Sequence, residues 1–221
     1  MFFPERVRSI KIGDRVLEVG PGGTPHPRSD VFLEKRFSEN EAKAQRGHVP
    51  NIQTEKSIIY YDGGKFPFED REFNYVICSH VLEHVPENDI PFFVQELHRV
   101  APRGYVEFPT IYYEYIYNFP EHITILFYHD DELKYISKDK IKINQFRQIN
   151  KFFYETLKAG YESFVVELKD YIFQGFEWED SLIAKKAESI EEITLDLNRI
   201  NISRGKKPTA KIRGLFHWLK K

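Results

Sequence analysis

The feature that constrains this chain most lies near its start. The apolar run Val16-Leu17-Glu18-Val19 passes directly into Gly20-Pro21-Gly22-Gly23. Such a run suits a short buried strand, and a glycine bend after it lets backbone come close to anything held above the strand's end. A lone turn of this kind is common, so the weight rests on the rhythm that follows. A second short strand is expected over 30–34. A third is expected over 57–61, ended by Asp62-Gly63-Gly64. A fourth runs from Phe73 to Cys78, where Tyr75, Val76, Ile77 and Cys78 stay apolar without alternation, as in a strand buried on both faces. Ser38 to Gln45 reads as a helix, with Ser38 as cap and Gly47 as stop. Ile90, Phe93, Val94, Leu97 and Val100 recur at helical spacing behind Asn88 and Asp89, which can cap. Pro102-Arg103-Gly104 then turns the chain into a fifth strand, Tyr105 to Phe108, closed by Pro109. Strands alternating with helices predict an α/β fold on a mostly parallel, doubly wound sheet.

After Pro109 the rhythm is lost. Residues 111–137 are dense in Tyr, Phe and Ile around Glu121-His122. The pattern over 140–157 is helical, and 164–186 reads as two strands about a bend near Gln174-Gly175. Ser189 to Ile202 reads as a helix with Ile190, Ile193, Leu197 and Ile200 on one face. No repeat or linker divides the chain, so the expectation is one domain over 1–221: a cofactor-binding half (1–110), a substrate-side half (111–203) and a basic tail (204–221). The chain's 221 residues, 41% hydrophobic, suffice for a packed core. A net charge of −2 gives no global field toward nucleic acid, and no such partner is expected. The tail has seven basic residues and no acidic one, with Leu215, Phe216, Trp218 and Leu219 among them. It reads as a solvated tail or last helix, or as a surface for peripheral contact with anionic lipid or a partner. The single cysteine, Cys78, excludes an internal disulfide and reads as a small buried hydrophobe. No apolar leader and no stretch of membrane-span length is seen, so the expectation is a cytoplasmic protein without stable membrane insertion. Asn201-Ile202-Ser203 matches a glycosylation sequon by chance.

Acidic residues stand at strand ends in a fixed order: Glu34 after the second strand and Asp62 after the third, with Phe66-Pro67-Phe68-Glu69-Asp70 behind it. The fourth strand leads into Ser79-His80-Val81-Leu82-Glu83-His84-Val85. In this order the runs VLEVGPGG, YYDGGKFPFEDREFNYVICSHVLEHV and ELHRVAPRGYVEFP, within residues 16–109, resemble the class I S-adenosylmethionine-dependent methyltransferases, most closely their small-molecule and sugar-type branch. The resemblance implies a Rossmann-like, seven-stranded sheet with a late antiparallel strand. It implies S-adenosylmethionine as cofactor, S-adenosylhomocysteine as product, and a cofactor lying across the carboxyl ends of the first strands. It places Gly20, Pro21, Gly22 and Gly23 in the turn beneath the cofactor, with Glu18 among the cofactor-binding residues, ordering that loop through the cofactor's ammonium. Glu34 would accept from the ribose hydroxyls and Asp62 from the adenine amino group. Gly63 would offer backbone to the ring edge, and Ser79 and His80 would line the methionine side. Each carboxylate taken alone also reads as a strand-end surface charge. One departure stands out. Only Thr24 to Ser29, with two prolines, separates the glycine turn from the second strand, where a parallel crossover normally needs about a dozen residues. The first crossover helix is therefore expected to be short or absent.

Methyl transfer to a hydroxyl gains from alignment, from exclusion of water and from a base. His84 and His122 are the favoured bases among His80, Glu83, His84, His122 and His129; a packing role for His84 is the plainer alternative. The place after the fourth strand lacks the Asn/Asp-Pro-Pro-aromatic run of enzymes that methylate base amines, and Cys78 lies inside a strand. An oxygen of a sugar or other small metabolite is thus the expected acceptor. Trp178-Glu179-Asp180-Ser181 adds an analogy with enzymes of polysaccharide building. No metal is expected. Two other readings stay open: a catalytically silent cofactor-binding domain, and a zinc peptidase on His80-Val81-Leu82-Glu83-His84, which Pro86 opposes by ending any helix there.

Overall fold

The computed structural model describes residues 1–37 and 54–195. The helix expected over 38–45, the residues of the 189–202 helix from 196 onward, the sequon and the basic tail lie outside the described residues. Nine strands are present among those described: β1 Val16–Val19, β2 Val31–Lys35, β3 Ser57–Tyr61, β4 Tyr75–Ser79, β5 Arg103–Pro109, β6 Thr124–His129, β7 Glu132–Ser137, β8 Phe173–Glu179 and β9 Ile183–Lys186. Six of them form the central sheet, in the order β3-β2-β1-β4-β5-β8. β1 pairs in parallel with β2 on one side and β4 on the other, and β8 runs antiparallel to β5 along Arg103–Pro109. The apolar runs explain the layout, because β1, β4 and β5 carry almost no exposed surface and need cover on both faces. The expected count of seven strands is corrected to six among the described residues. β6, β7 and β9 pair separately, in a three-stranded sheet of their own.

Helix α1, Ile90–Val100, buries Ile90, Phe93, Val94, Leu97 and Val100 in the main core cluster with Leu17, Val76 and Val106. Each such side chain contributes roughly 1.5–3 kcal/mol on burial, so this face outweighs any local propensity. Asp89 precedes the helix but makes no side-chain cap, and Glu87–Asp89 form a short 3-10 turn instead. The Thr24–Ser29 link contains no helix. Three helices follow: α2 Ile111–Tyr117, α3 Arg147–Lys158 and α4 Ser163–Ile172. α4 corrects the expectation of two strands over 164–186, and Gln174 and Gly175 lie inside β8 rather than at a bend. Val165 and Ile172, buried at helical separation, carry the period that the strand reading missed. The helix expected over 140–157 begins only at Arg147, after a 3-10 turn over Ile143–Phe146, and within 189–195 only Glu191–Ile193 make a 3-10 turn. Among the described residues no helix is long and apolar enough to cross a membrane.

Candidate functional site

A cleft of about 390 Å³ opens across the carboxyl ends of β1 to β4, lined by Gly20, Gly22, Glu34, Gly63, His80 and His84 among others. The crevice outside the carboxyl ends of a doubly wound sheet is where such folds bind ligands. The bend after β1 has the backbone such a site needs. Gly20 has φ +63° and donates its N–H to the Leu33 carbonyl at 2.9 Å. A β-carbon built on it would stand 2.5 Å from Val81 Cγ2, so only glycine fits there. Glu18, expected to bind the cofactor, is not among the residues that line the cleft. Its Oε2 accepts from the His26 N–H at 2.9 Å and the Ser29 hydroxyl at 2.6 Å, which ties down the short crossover. Burial pushes its carboxyl up to about 7 against the lowering effect of those two hydrogen bonds.

Glu34, 8% exposed at the end of β2, lines the cleft with Tyr61, Gly63 and Gly64. Asp62 is not among the lining residues; its side chain is 77% exposed and pairs with Arg36 at 3.1 Å. Pro21, Gly23 and Ser79 likewise do not line the cleft; Ser79 donates its hydroxyl to Glu107 at 3.2 Å.

His80 adopts φ +57°, a left-handed conformation that a histidine holds only when its surroundings fix it. Its Nδ1 faces Glu83 Oε1 at 3.2 Å and its Nε2 faces Glu107 Oε1 at 3.0 Å. Burial alone would lower its pKa, but hydrogen bonds and charge from the two carboxylates raise it to about 9, so the ring is an imidazolium that donates to both. Burial would raise the Glu107 carboxyl, yet His80, the Tyr105 hydroxyl at 2.6 Å and the Phe2 N–H at 2.6 Å hold it down to about 2. Sequence reasoning missed Glu107. Its signal was a carboxylate inside the apolar run Tyr105-Val106-Glu107-Phe108.

The structure brings His84 and His122 together, with ring centroids 4.9 Å apart. His84 Nδ1 lies 3.0 Å from the Glu121 carbonyl, and His122 Nδ1 pairs with the buried Glu114 carboxylate. Glu114 also accepts from Lys138 Nζ at 2.6 Å. Burial, with a contribution from His122, lowers the pKa of His84 and keeps that imidazole neutral at pH 7. His84 lines the first cleft, whereas His122 lines a neighbouring polar cleft of about 490 Å³ with Asn88, Asn118, Lys138 and Asn144. Pro86 borders both. The peptidase arrangement fails here, because Leu82–His84 is a single 3-10 turn and both nitrogens of His80 are taken by carboxylates.

A mostly parallel sheet with a glycine bend after β1, an acidic end to β2 and a cleft above both defines a Rossmann-like ligand-binding fold. Residues 35–108 match a family described as a methyltransferase domain. Among solved structures, the chain is similar to the YcgJ protein of Bacillus subtilis, with 19% identity over 46% of this chain and 47% of that one and a TM-score of 0.33. The aligned part thus spans about half the length of that protein. A SAM-dependent methyltransferase of Methanosarcina mazei aligns at 15% identity over 55% of this chain and 69% of that one, TM-score 0.34. An S-adenosylmethionine-dependent methyltransferase of Mesorhizobium loti aligns at 12% identity over 75% and 90%, TM-score 0.37. No curated protein matches the chain.

Proposed function

We propose that the protein binds S-adenosylmethionine in the β1–β4 cleft and methylates an oxygen of a sugar or other small metabolite, such as a polysaccharide precursor. The observation that carries this reading is the meeting, in one cleft, of the Gly20 and Gly22 backbone, the Glu34 carboxylate and the Gly63-Gly64 backbone. The fit is sound in size and chemistry. About 390 Å³ lies within the roughly 300–1,000 Å³ of small-ligand sites. Leu33, Tyr61, Phe92 and Phe93 give apolar walls for a flat base, and Glu34 offers a carboxylate for ribose hydroxyls. Bound there, S-adenosylmethionine supplies a methyl group on a positive sulfur, which becomes neutral S-adenosylhomocysteine when the methyl leaves.

The chain's own residues do the rest. Gly20 keeps the floor of the cleft open, and the His80 imidazolium between Glu83 and Glu107 fixes the loop after β4. An acceptor hydroxyl entering from the polar second cleft would lie beside His84 and its neighbour His122. The test is calorimetry with S-adenosylmethionine and S-adenosylhomocysteine, followed by transfer of labelled methyl to a panel of nucleotide sugars and oligosaccharides. Wild-type protein should bind both. Glu34→Gln removes a charged hydrogen bond worth about 1.5–3 kcal/mol, so it should bind roughly 10–150-fold more weakly. No heat at millimolar ligand, or equal binding by Glu34→Gln, contradicts the reading.

A further inference from the structure

We propose that Glu83, His84 and His122 form a binding site for one divalent first-row transition ion. One ligand atom from each of the three residues lies within 4.8 Å of the other two. The hydrogen bonds around them settle which atoms are left to bind. His84 Nδ1 is engaged by the Glu121 carbonyl and His122 Nδ1 by the Glu114 carboxylate. A neutral ring that donates its Nδ1–H to oxygen keeps its lone pair on Nε2. Glu83 Oε1 faces His80, and its Oε2 is buried with no hydrogen-bond partner among the described residues. Glu83 itself is 1% exposed. Ligand-type atoms of the three residues therefore meet in one place, with the unpartnered Glu83 oxygen on the same side chain. A buried, unpartnered carboxylate oxygen is costly, and a cation satisfies it together with both imidazoles. The nearby ammonium of Lys138 is committed to Glu114 and to the Phe119 carbonyl, each at 2.6 Å.

The surroundings are those of a supported metal site. His122 leans on a carboxylate and His84 on a backbone carbonyl, the two partners that orient ligand histidines. His80 braces Glu83 from the far side. Hydrogen bonds join the two ligand-bearing segments, since the Ile123 N–H donates to the Glu83 carbonyl at 2.9 Å and the Thr124 hydroxyl to the Val85 carbonyl at 2.6 Å. Two imidazoles and one carboxylate suit Zn²⁺, Co²⁺ or Fe²⁺ rather than the all-oxygen shells of Mg²⁺ and Ca²⁺. Three protein ligands leave a position open, the pattern of a metal that binds substrate. His84 lines the first cleft and His122 the second, so an ion held by these residues would be reachable from the clefts. An acceptor hydroxyl bound to that ion becomes a stronger acid. That role rests on the methyl-transfer reading; uptake of the ion does not.

The full chain, stripped with a chelator and dialysed, is titrated with Co²⁺, Zn²⁺ and Mg²⁺, followed by visible absorption and elemental analysis. One equivalent of Co²⁺ with d–d bands, displaced by Zn²⁺ and not by Mg²⁺, is expected. Glu83→Gln and His122→Asn, each checked for fold by circular dichroism, should weaken Co²⁺ binding roughly 100-fold or more. If Glu83→Gln is unfolded, His122→Asn carries the test alone. S-Adenosylhomocysteine binding is measured on the same stripped sample. A sample that binds it yet takes up neither Co²⁺ nor Zn²⁺, or variants that bind Co²⁺ as well as wild type, overturns the metal site. Metal uptake without S-adenosylhomocysteine binding supports the metal site and sinks only the methyl-transfer reading.

Discussion

Replacing Gly20 by alanine tests the bend on which the cleft depends. Two costs follow from the structure. At φ +63° an L-residue sits in the left-handed region, which costs roughly 1–2 kcal/mol. The new β-carbon would also stand 2.5 Å from Val81 Cγ2, and overpacking of that kind costs about 1–3 kcal/mol. Together they give roughly 2–5 kcal/mol, a large share of the 5–15 kcal/mol typical of a domain. The assay is urea unfolding at pH 7 by circular dichroism, for wild type, Gly20→Ala, Val81→Ala and the double variant. The double variant should recover the steric part, giving a coupling of about 1–3 kcal/mol, while the left-handed cost remains. Gly20→Ala within about 0.5 kcal/mol of wild type, or strict additivity with Val81→Ala, would refute the reasoning.

Other perturbations have equally definite signs. The folded pKa of His80, about 9, lies above its unfolded value near 6.5, so its stabilising contribution is full below about pH 6.5 and lost as pH rises through about 9. Urea midpoints from pH 5 to 10 should show that loss, on the order of 1–3 kcal/mol given the ring's 26% exposure, and Glu107→Gln should shrink it. Glu18 is also raised, to about 7, but it is an acid, so ionising it costs stability as pH rises from about 4.5 through 7. Glu18→Gln keeps the oxygen that accepts from His26 and Ser29, so it should raise the unfolding midpoint at pH 8 and change little at pH 4. Arg99 donates to the Phe66 and Phe68 carbonyls and pairs with Glu96 at 2.7 Å, pinning the Phe66–Asp70 segment to α1. Arg99→Lys loses that fork and should cost about 1.5–3 kcal/mol in the same assay.

The first half of the fold was readable because its strands are short and mostly apolar, and β1, β4 and β5 are buried on both faces, so they stand out without any tertiary information. The place of Glu34 in the cleft was legible from its position near the end of the second strand. Asp62 ended a half-exposed strand beside Arg36, and a surface partner there is as good as a cleft. The second half failed where period and burial disagree. α4 exposes Phe164 and Val166, so its apolar residues look alternating although the chain is helical. The pairing of His84 with His122 is set by β6 returning beside Glu83 over 40 residues of sequence separation, and spacing alone gives no sign of it. Nor does a sequence show that both Nδ1 atoms are engaged by oxygen.

The most direct measurement of the central claim is a crystal structure of the protein grown with S-adenosylhomocysteine. The ribose hydroxyls should lie within hydrogen-bond distance of Glu34, with the amino-acid end over the Gly20–Gly22 backbone and the sulfur directed toward His84. Density for the ligand elsewhere on the molecule, or an adenosine whose ribose lies away from Glu34, would contradict the account.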